Sequence, residues 1–217
     1  NLRSISADKK SKTVTAVYDM PTVESTLTLT YQAKEDGTLN VTQQLKTTPG
    51  AKVSDMLRFG MVMNLPYNMD QCQWNGRGPV ENYSDRKLSQ NVGIYKSTAD
   101  ELFFPYVRPQ ETGTMSDLRW WNQTDGGGFG FRIESDKLFS ASALHYDLLT
   151  LDEGEEKHQR HSQSVEKSKY TNMFIDLVQE GVGGVNSWDA DGRARKGHRV
   201  EYKDYTFKFR LSPKTVY

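Results

Sequence analysis

Strict alternation of polar and apolar residues in short segments is the feature that most constrains how this chain can fold. In residues 25–31 the apolar residues Leu27, Leu29 and Tyr31 alternate with threonines, so the apolar side chains share one face of an extended chain. Residues 13–18 and 205–211 repeat the pattern near the two ends of the sequence. A period of two fits a half-buried strand and does not produce the apolar stripe of an amphipathic helix. The alternation therefore predicts antiparallel β-sheet.

Turn signals separate these alternating segments. Asp36-Gly37 predicts a tight hairpin because glycine readily adopts positive φ, and Pro49-Gly50 closes the same unit. A short helix is predicted only between Tyr146 and Ser168, and residues 83–100 are predicted to be a surface excursion. The remaining strand-like segments are residues 38–46, 56–65, 117–121, 129–133, 139–145 and 170–178. About ten short strands with almost no helix predict one all-β domain over residues 1–217, a large antiparallel β-sandwich.

Charge and cysteine content narrow the function classes. The 28 basic and 28 acidic residues cancel, which gives no electrostatic reason to expect nucleic acid or an anionic membrane as a partner. No apolar run approaches the roughly 20 residues that span a bilayer. Cys72 is the single cysteine, so a disulfide within the chain and a cysteine-based metal site are excluded, while cytosol and periplasm both remain compatible. The start at Asn1, without Met, suggests a piece of a longer protein.

Residues 74–86 form the most distinctive stretch, with two glycines, a proline and an aromatic residue towards each end. The glycines permit unusual backbone angles and the proline fixes φ, so we predict a built loop rather than a regular element. Trp74 and Tyr83 are expected to anchor this loop. The polar residues expected to brace it, by ion pairing for the charged ones, are Arg77, Glu81, Asn82, Asp85 and Arg86.

Two carboxylate pairs are the candidate catalytic groups, since glycosidases place two carboxyl groups across the scissile bond. Glu81 with Asp85 and Glu111 with Asp117 lie in turn-rich segments. Arginines lie close to both pairs in the sequence, and structural ion pairs explain the pairs more simply. Neither pair is therefore assigned a catalytic role.

The histidines give no firm metal site. His158 and His161 have a spacing that can bind metal, but they lie in a charge-rich segment where solvated side chains are the simpler interpretation. His145 follows an alternating strand, and a hydrogen-bonded histidine in the core or at its rim is the favoured interpretation. The sequence therefore assigns no metal ligand.

Trp188 follows a glycine-rich turn and has Asn186 and Ser187 beside it. An indole displayed on such a turn can stack on the C–H face of a sugar while neighbouring polar groups bind the hydroxyls. A tryptophan at such a turn is also common in a core or an interface. The residues alone leave both interpretations open.

Three motifs together resemble the C-terminal domain of the large bacterial, lacZ-type β-galactosidases of glycoside hydrolase family two. They are Trp-x-Gly-Arg-Gly-Pro-x-Glu-Asn-Tyr-x-Asp-Arg at residues 74–86, Pro-Tyr-Val-Arg-Pro-Gln-Glu-x-Gly at 105–113, followed by Arg119-Trp120, and Gly-Val-Gly-Gly-x-Asn-Ser-Trp at 181–188. Their order and spacing agree with that family over most of the chain. The resemblance implies a galactose-mutarotase-like supersandwich, the last domain of an enzyme that hydrolyses terminal β-galactosides.

The resemblance also implies where the chemistry lies. Catalytic glutamates and metal ligands belong to a barrel domain of the same enzyme, so this chain has no catalytic residue and no cofactor, and Mg²⁺ or Na⁺ used by the parent enzyme is bound through other domains. Trp188, with Asn186 and Ser187, is implied to bind the galactoside. The segment 74–86 is expected to fix the sandwich against the barrel. A homo-oligomer is compatible with this picture.

Two departures from the family pattern affect these implied roles. Val185 and Asn186 stand where the family usually has two aspartates, and Thr112 stands where it has asparagine. The polar contacts beside Trp188 are therefore expected to differ from those of the family.

Three other functions remain compatible with the sequence. The chain could be an autonomous carbohydrate-binding module or a purely structural interface domain. It could also be an aldose-epimerase-like sandwich, in which His145 and Glu180 would be the acid and base.

Overall fold

In a computed structural model, the protein is described at residues 1–151, 161–186 and 192–214. Helical structure in these ranges is limited to the single turn α1 (Leu148–Leu151) and short 3-10 segments. Among the described residues, no helix is long and apolar enough to cross a membrane. The strands in chain order are β1 (Leu2–Asp8), β2 (Thr13–Met20), β3 (Ser25–Ala33), β4 (Leu39–Thr47), β5 (Arg58–Pro66), β6 (Gln71–Gly78), β7 (Asn91–Thr98), β8 (Met115–Thr124), β9 (Gly130–Leu144), β10 (Tyr170–Gln179) and β11 (Tyr205–Lys214).

The 15-residue strand β9 is where the sheet divides. Its first part, from Gly130 to Ser135, pairs with β11, and its second part, from Ser140 to Leu144, pairs with β10. One branch continues from β11 through β4, β3 and β2 to β1, while β10 pairs with β5 in the other branch. On its other side β9 pairs with β8, followed by β6 and β7. All pairs between these strands are antiparallel, which confirms the predicted all-β sandwich.

Alternating side chains from both branches fill one apolar core. In β6 the buried positions recur at every second residue, as the period of two predicts. Burying such faces supplies the main driving force for folding, about 25 cal/mol per Å² of apolar surface. The largest fully buried apolar side chains are Trp74, Trp121, Phe139, Phe207, Met115, Leu118, Ile133, Met173, Ile175 and Val41.

The hairpin between β3 and β4 forms where the Asp36-Gly37 signal places it. Gly37 has φ of 82°, in the left-handed region that favours glycine. The Asp36 carboxylate accepts a hydrogen bond from the N–H of Thr38 at 2.9 Å, which satisfies a backbone donor in the turn.

The prediction of a loop over residues 74–86 is wrong for its first five residues, which lie in β6. Gly76 serves close strand packing there, because a Cβ at this position would lie 2.5 Å from Cδ2 of Leu118 on β8. A loop begins only after the cis peptide bond between Gly78 and Pro79. Glycine and proline in this stretch therefore mark a close approach followed by a turn.

The surface excursion predicted for residues 83–100 is also corrected, since it contains strand β7. Among the described strands, β7 pairs only with β6 and lies at the end of the sheet, where Val92 and Ile94 are exposed. An edge strand needs few apolar residues because little of it is covered by the core. Its sequence consequently carries a weak strand signal.

Candidate functional site

The three motif segments meet around one cleft, which we call the Arg58 cleft. It has a volume of about 1060 Å³ and lies where β5 begins and β10 ends. Its polar lining includes arginine, glutamate and tyrosine side chains from separate parts of the chain: Arg58, Arg86, Tyr106, Glu111, Glu180 and Arg193. The sequence motifs identify these segments but do not predict that they share a cleft.

Hydrogen bonds to Glu81 link the first motif to the second. Its side chain is 5% exposed, and one carboxylate oxygen accepts hydrogen bonds from the Arg86 guanidinium and the Tyr106 hydroxyl. The other oxygen accepts from the N–H of Gly113 at 2.7 Å and the hydroxyl of Thr112 at 3.2 Å. Charge-assisted hydrogen bonds of this kind are about twice as strong as neutral ones. The carboxylate is therefore fully engaged in holding the two loops together.

Removing this carboxylate by Glu81→Ala is expected to lower the free energy of unfolding by about 2–3 kcal/mol. The buried donors of Gly113 and Thr112 lose their acceptor, whereas the Arg86 side chain, 46% exposed, regains water. Urea unfolding followed by fluorescence measures the change. Glu35→Ala is the control, because Glu35 is 91% exposed in its pair with Lys12 and should contribute less than about 1 kcal/mol. Equal losses in the two variants would contradict this role of Glu81.

Arg58, which lines the cleft, lies near two carboxylates. Its Nη2 is 3.0 Å from Oε2 of Glu111 and 3.6 Å from Oδ2 of Asp176, and its Cζ lies 5.0 Å from the centre of the Phe174 ring. Glu111 also accepts a hydrogen bond from the hydroxyl of Thr114 at 3.0 Å. One cation is therefore shared by two acidic groups.

Asp176 is the more deeply buried of these two acidic groups, at 2% exposure. Gly60 faces it across the β5–β10 pair, and a Cβ on Gly60 would clash with Oδ1 of Asp176. Burial raises the pKa of Asp176 to about 7; the Arg58 charge opposes this effect and the Glu111 charge adds to it. No sequence pattern signals this group, because alternation alone would place an apolar residue at such an inward position.

The structure brings together a different carboxylate pair from those considered in the sequence. The Tyr83 hydroxyl lies 3.5 Å from Glu81 and 3.4 Å from Glu111, so these two acids share one partner. Asp117 belongs to a separate network, with Arg77 at 2.6 Å and Lys87 at 2.7 Å. Burial raises the pKa of Asp117, but the hydrogen bonds from these two cations outweigh it and lower the pKa overall.

Trp74 and Asn82 of the first motif are buried parts of the fold. Trp74 stacks on Trp121 with ring centres 5.3 Å apart, and its Nε1 donates to the Arg77 carbonyl at 3.0 Å. Asn82 is fully buried and accepts a hydrogen bond from the N–H of Ser116 at 3.1 Å. These contacts hold the loop and strand β8 against each other.

The third motif reaches the first through Asp85. Oδ2 of Asp85 accepts a hydrogen bond from the N–H of Gly183 at 2.7 Å. Across residues 1–151, 161–186 and 192–214 no arginine lies within ion-pair distance of Asp85, so the expected arginine brace is wrong for this residue. Asn186 lies at the end of the described segment and does make contacts. Ser187 and Trp188 lie outside the described residues.

His145 is a buried histidine, as its position predicts. Its Nδ1 is 2.8 Å from Oδ1 of Asp100 and its Nε2 is 3.0 Å from the Tyr67 carbonyl oxygen, while its ring stacks on that of Tyr67. The preceding residue, Leu144, pairs with Asn172 near the start of β10, whereas Glu180 directly follows the end of β10. Eight residues of extended chain separate these points by about 25 Å. His145 and Glu180 therefore cannot act on one sugar as an epimerase acid and base.

His161, the described member of the histidine pair, lies beside the second motif. Its Nδ1 is 3.2 Å from the Val107 carbonyl oxygen, and His158 lies outside the described residues. Within the described ranges, no group of three or more His, Cys, Asp or Glu side chains is arranged to hold a metal ion.

Comparison with solved structures agrees with the observed fold. The crystal structure of a candidate aldose 1-epimerase from Escherichia coli K12 superposes with a TM-score of 0.53 at 11% sequence identity. The superposition covers 98% of this chain and 68% of that one. At this level of identity the similarity shows a shared β-sandwich fold and carries no statement about activity.

Comparison with sequence families is more specific. A β-galactosidase from Priestia megaterium is 31% identical over 85% of this chain, and one from Lactobacillus delbrueckii subsp. bulgaricus is 32% identical over 86%. The matched regions are only 17% and 18% of those relatives, so the chain spans less than a fifth of their length. The family model for the β-galactosidase small chain matches residues 1–211. This protein therefore belongs to the β-galactosidase small-chain family.

Proposed function

We propose that this chain is the C-terminal β-sandwich domain of a larger β-galactosidase that hydrolyses terminal β-galactosides. Its role is to complete the galactoside site, while the catalytic carboxylates and any Mg²⁺ or Na⁺ sites belong to a barrel domain of the same enzyme. Family membership supports this proposal, as does the β-galactosidase name of relatives that are much longer than the matched region. The fully engaged carboxylate of Glu81 also fits a domain that does not cleave the bond itself.

The observation that carries the proposal is the attachment of the third motif beside the Arg58 cleft. Gly181 and Val182 line this cleft, and Gly183 is bound to Asp85. From there the sequence runs to Trp188 within five residues. Since aromatic rings stack on the C–H faces of sugars, Trp188 is the proposed sugar-binding group, with Asn186 and Ser187 as its polar neighbours.

Replacement of this indole tests the proposal in the complete protein. Trp188→Ala is expected to raise KM for a chromogenic β-galactoside about tenfold, equivalent to about 1.4 kcal/mol, and to lower kcat by a smaller factor. The reason is that stacking stabilises the bound substrate and the transition state to a similar extent. Initial rates over a range of substrate concentrations separate the two constants.

Trp120→Ala is the matched control, because Trp120 lies on β8 under the Arg132 guanidinium and not in the third motif. It should leave KM unchanged. An unchanged KM in Trp188→Ala would refute the sugar contact. Turnover of the substrate by residues 1–217 alone would refute the proposal that the catalytic carboxylates belong to the barrel domain.

A further inference from the structure

The contact between Asp85 and the segment 181–183 is unusually close. Besides the 2.7 Å hydrogen bond from Gly183, a Cβ built on Gly181 would clash with Oδ2 of Asp85. Real Cβ atoms do not come so near an oxygen, so the approach of the carboxylate requires glycine at position 181. Gly181 and Gly183 of the third motif thus both contact Asp85, in addition to any freedom they give the turn.

Both sides of this contact are held by other interactions. On one side, the N–H of Arg86 donates to the Tyr83 carbonyl at 3.0 Å across the turn that carries Asp85, and Tyr83 is 2% exposed. On the other side, the N–H of Gly181 donates to the His198 carbonyl at 2.9 Å. The Asp85 carboxylate therefore connects two segments that are each fixed at a nearby point.

The burial of one Asp85 carboxylate oxygen carries an energetic cost. This oxygen, Oδ1, is buried and, as far as the described residues extend, has no hydrogen-bond partner. A buried carboxylate oxygen without a partner is destabilising, because it has lost its hydrogen bonds to water without replacement. Within the described part of the chain, the other oxygen is hydrogen-bonded to Gly183 and not to the loop 79–86. Stability of that loop by itself therefore does not account for an acidic residue here.

We propose that Asp85 is a positioning residue of the galactoside site, anchoring Gly183 and so fixing the direction in which the third motif leaves β10 toward Trp188. This role rests on the proposed function. Asp85 acts through the backbone of Gly183 and does not touch the sugar. Anchoring of the third motif replaces the arginine brace expected from the sequence.

The test compares Asp85→Ala with Asp85→Asn in the complete protein. Asp85→Ala removes the acceptor for the Gly183 N–H and is expected to raise KM about fivefold, with a smaller change in kcat. Asp85→Asn keeps an acceptor oxygen of similar reach, so KM should return to within about twofold of the wild-type value. Ser84→Ala is the matched control: the Ser84 hydroxyl is buried next to Asp85 and has no hydrogen-bond partner among the described residues.

A second variant perturbs the same contact from the opposite side. It tests the proposal independently if Asp85→Ala does not fold. Gly181→Ala inserts a methyl group where the carboxylate lies and should raise KM to a similar extent. The double variant Asp85→Ala/Gly181→Ala should show less than the product of the two single effects, because both variants break one contact. Amide hydrogen exchange at Gly183 should accelerate in Asp85→Ala and not in Ser84→Ala.

Trp188→Ala, measured in the same assay, separates the positioning role from the function on which it rests. If Trp188→Ala raises KM while Asp85→Ala and Gly181→Ala do not, the positioning role is wrong and the proposed function stands. If none of the three variants raises KM, both are overturned. Independent, multiplicative effects of Asp85→Ala and Gly181→Ala would also overturn the positioning role, since they would not be acting on a shared contact.

Discussion

Trp74→Ala is expected to lower the free energy of unfolding by about 3–5 kcal/mol, the range found when a buried aromatic residue is cut back to alanine. Trp74 is fully buried, stacks on Trp121 and lies 5.8 Å from the Tyr95 ring centre. Its removal leaves a cavity at the centre of β6 and leaves the Arg77 carbonyl without its indole donor. The neighbouring strands pair rigidly through β6, so they cannot collapse fully into the space.

Trp120→Ala provides the matched comparison, because Trp120 pairs with Asn75 and Trp121 pairs with Trp74 on the same two strands. Adjacent residues in a strand point to opposite faces, and Trp120 lies half-buried beneath the Arg132 guanidinium, with its ring centre 4.2 Å from the Arg132 Cζ. Loss of that contact should cost only about 1 kcal/mol. Equilibrium urea unfolding of both variants gives the two values, and similar losses would contradict a core centred on Trp74.

The free energy of unfolding is expected to fall between about pH 4 and pH 7 through the titration of Asp176. Its pKa is 3.8 for the ordinary side chain and about 7 in the folded protein, so over this interval the folded state holds a proton that the unfolded state has released. The stabilisation is complete below pH 3.8 and is lost as the pH approaches 7. The separation of the two pKa values corresponds to about 4 kcal/mol.

Asp176→Asn has no proton to bind at this position, so its stability curve should lack that fall. Relative to the wild type, the variant should gain up to about 4 kcal/mol between about pH 4 and pH 7. Urea unfolding at half-unit steps of pH measures the difference, and parallel curves for the two proteins would contradict the assigned pKa.

Asp204→Asn is a control of opposite sign. Hydrogen bonds from Lys46 and Thr47 lower the pKa of Asp204 to about 2, so the stability that Asp204 contributes is present above pH 3.8 and lost as the pH falls toward 2. This variant should consequently differ from the wild type in its pH dependence only in the acidic range. The two aspartates thus separate burial from hydrogen bonding as causes of pH dependence.

Local patterns in the sequence were sufficient for most of the strands. The alternation in β11 reports burial directly, because Phe207 and Phe209 are buried between exposed residues. The Asp36-Gly37 turn determines that β3 and β4 form a hairpin. Alternation does not reveal β7 or the first residues of β1, because exposed edge strands carry little of it. The prediction of a turn at Gly76 is wrong for a related reason, since a glycine that permits close strand packing has the same sequence signal as one that permits a turn.

The contacts that build the site join residues far apart in the sequence, so no local sequence pattern predicts them. Glu81 meets Gly113 across 32 positions of sequence, and Asp85 meets Gly183 across 98. The sequence determined that these segments contain glycines, charged groups and a tryptophan, together with their order. Only the pairing of β5, β9 and β10 decided that these segments surround one cleft. The same pairing decided that Asp176 is buried beside Arg58 and that Asp85 accepts a hydrogen bond from a backbone N–H. The physical reason is that strand pairing between distant parts of the chain sets how deeply each side chain is buried and which groups it contacts. Burial and contacts in turn determine the pKa and the geometry of each side chain in the cleft.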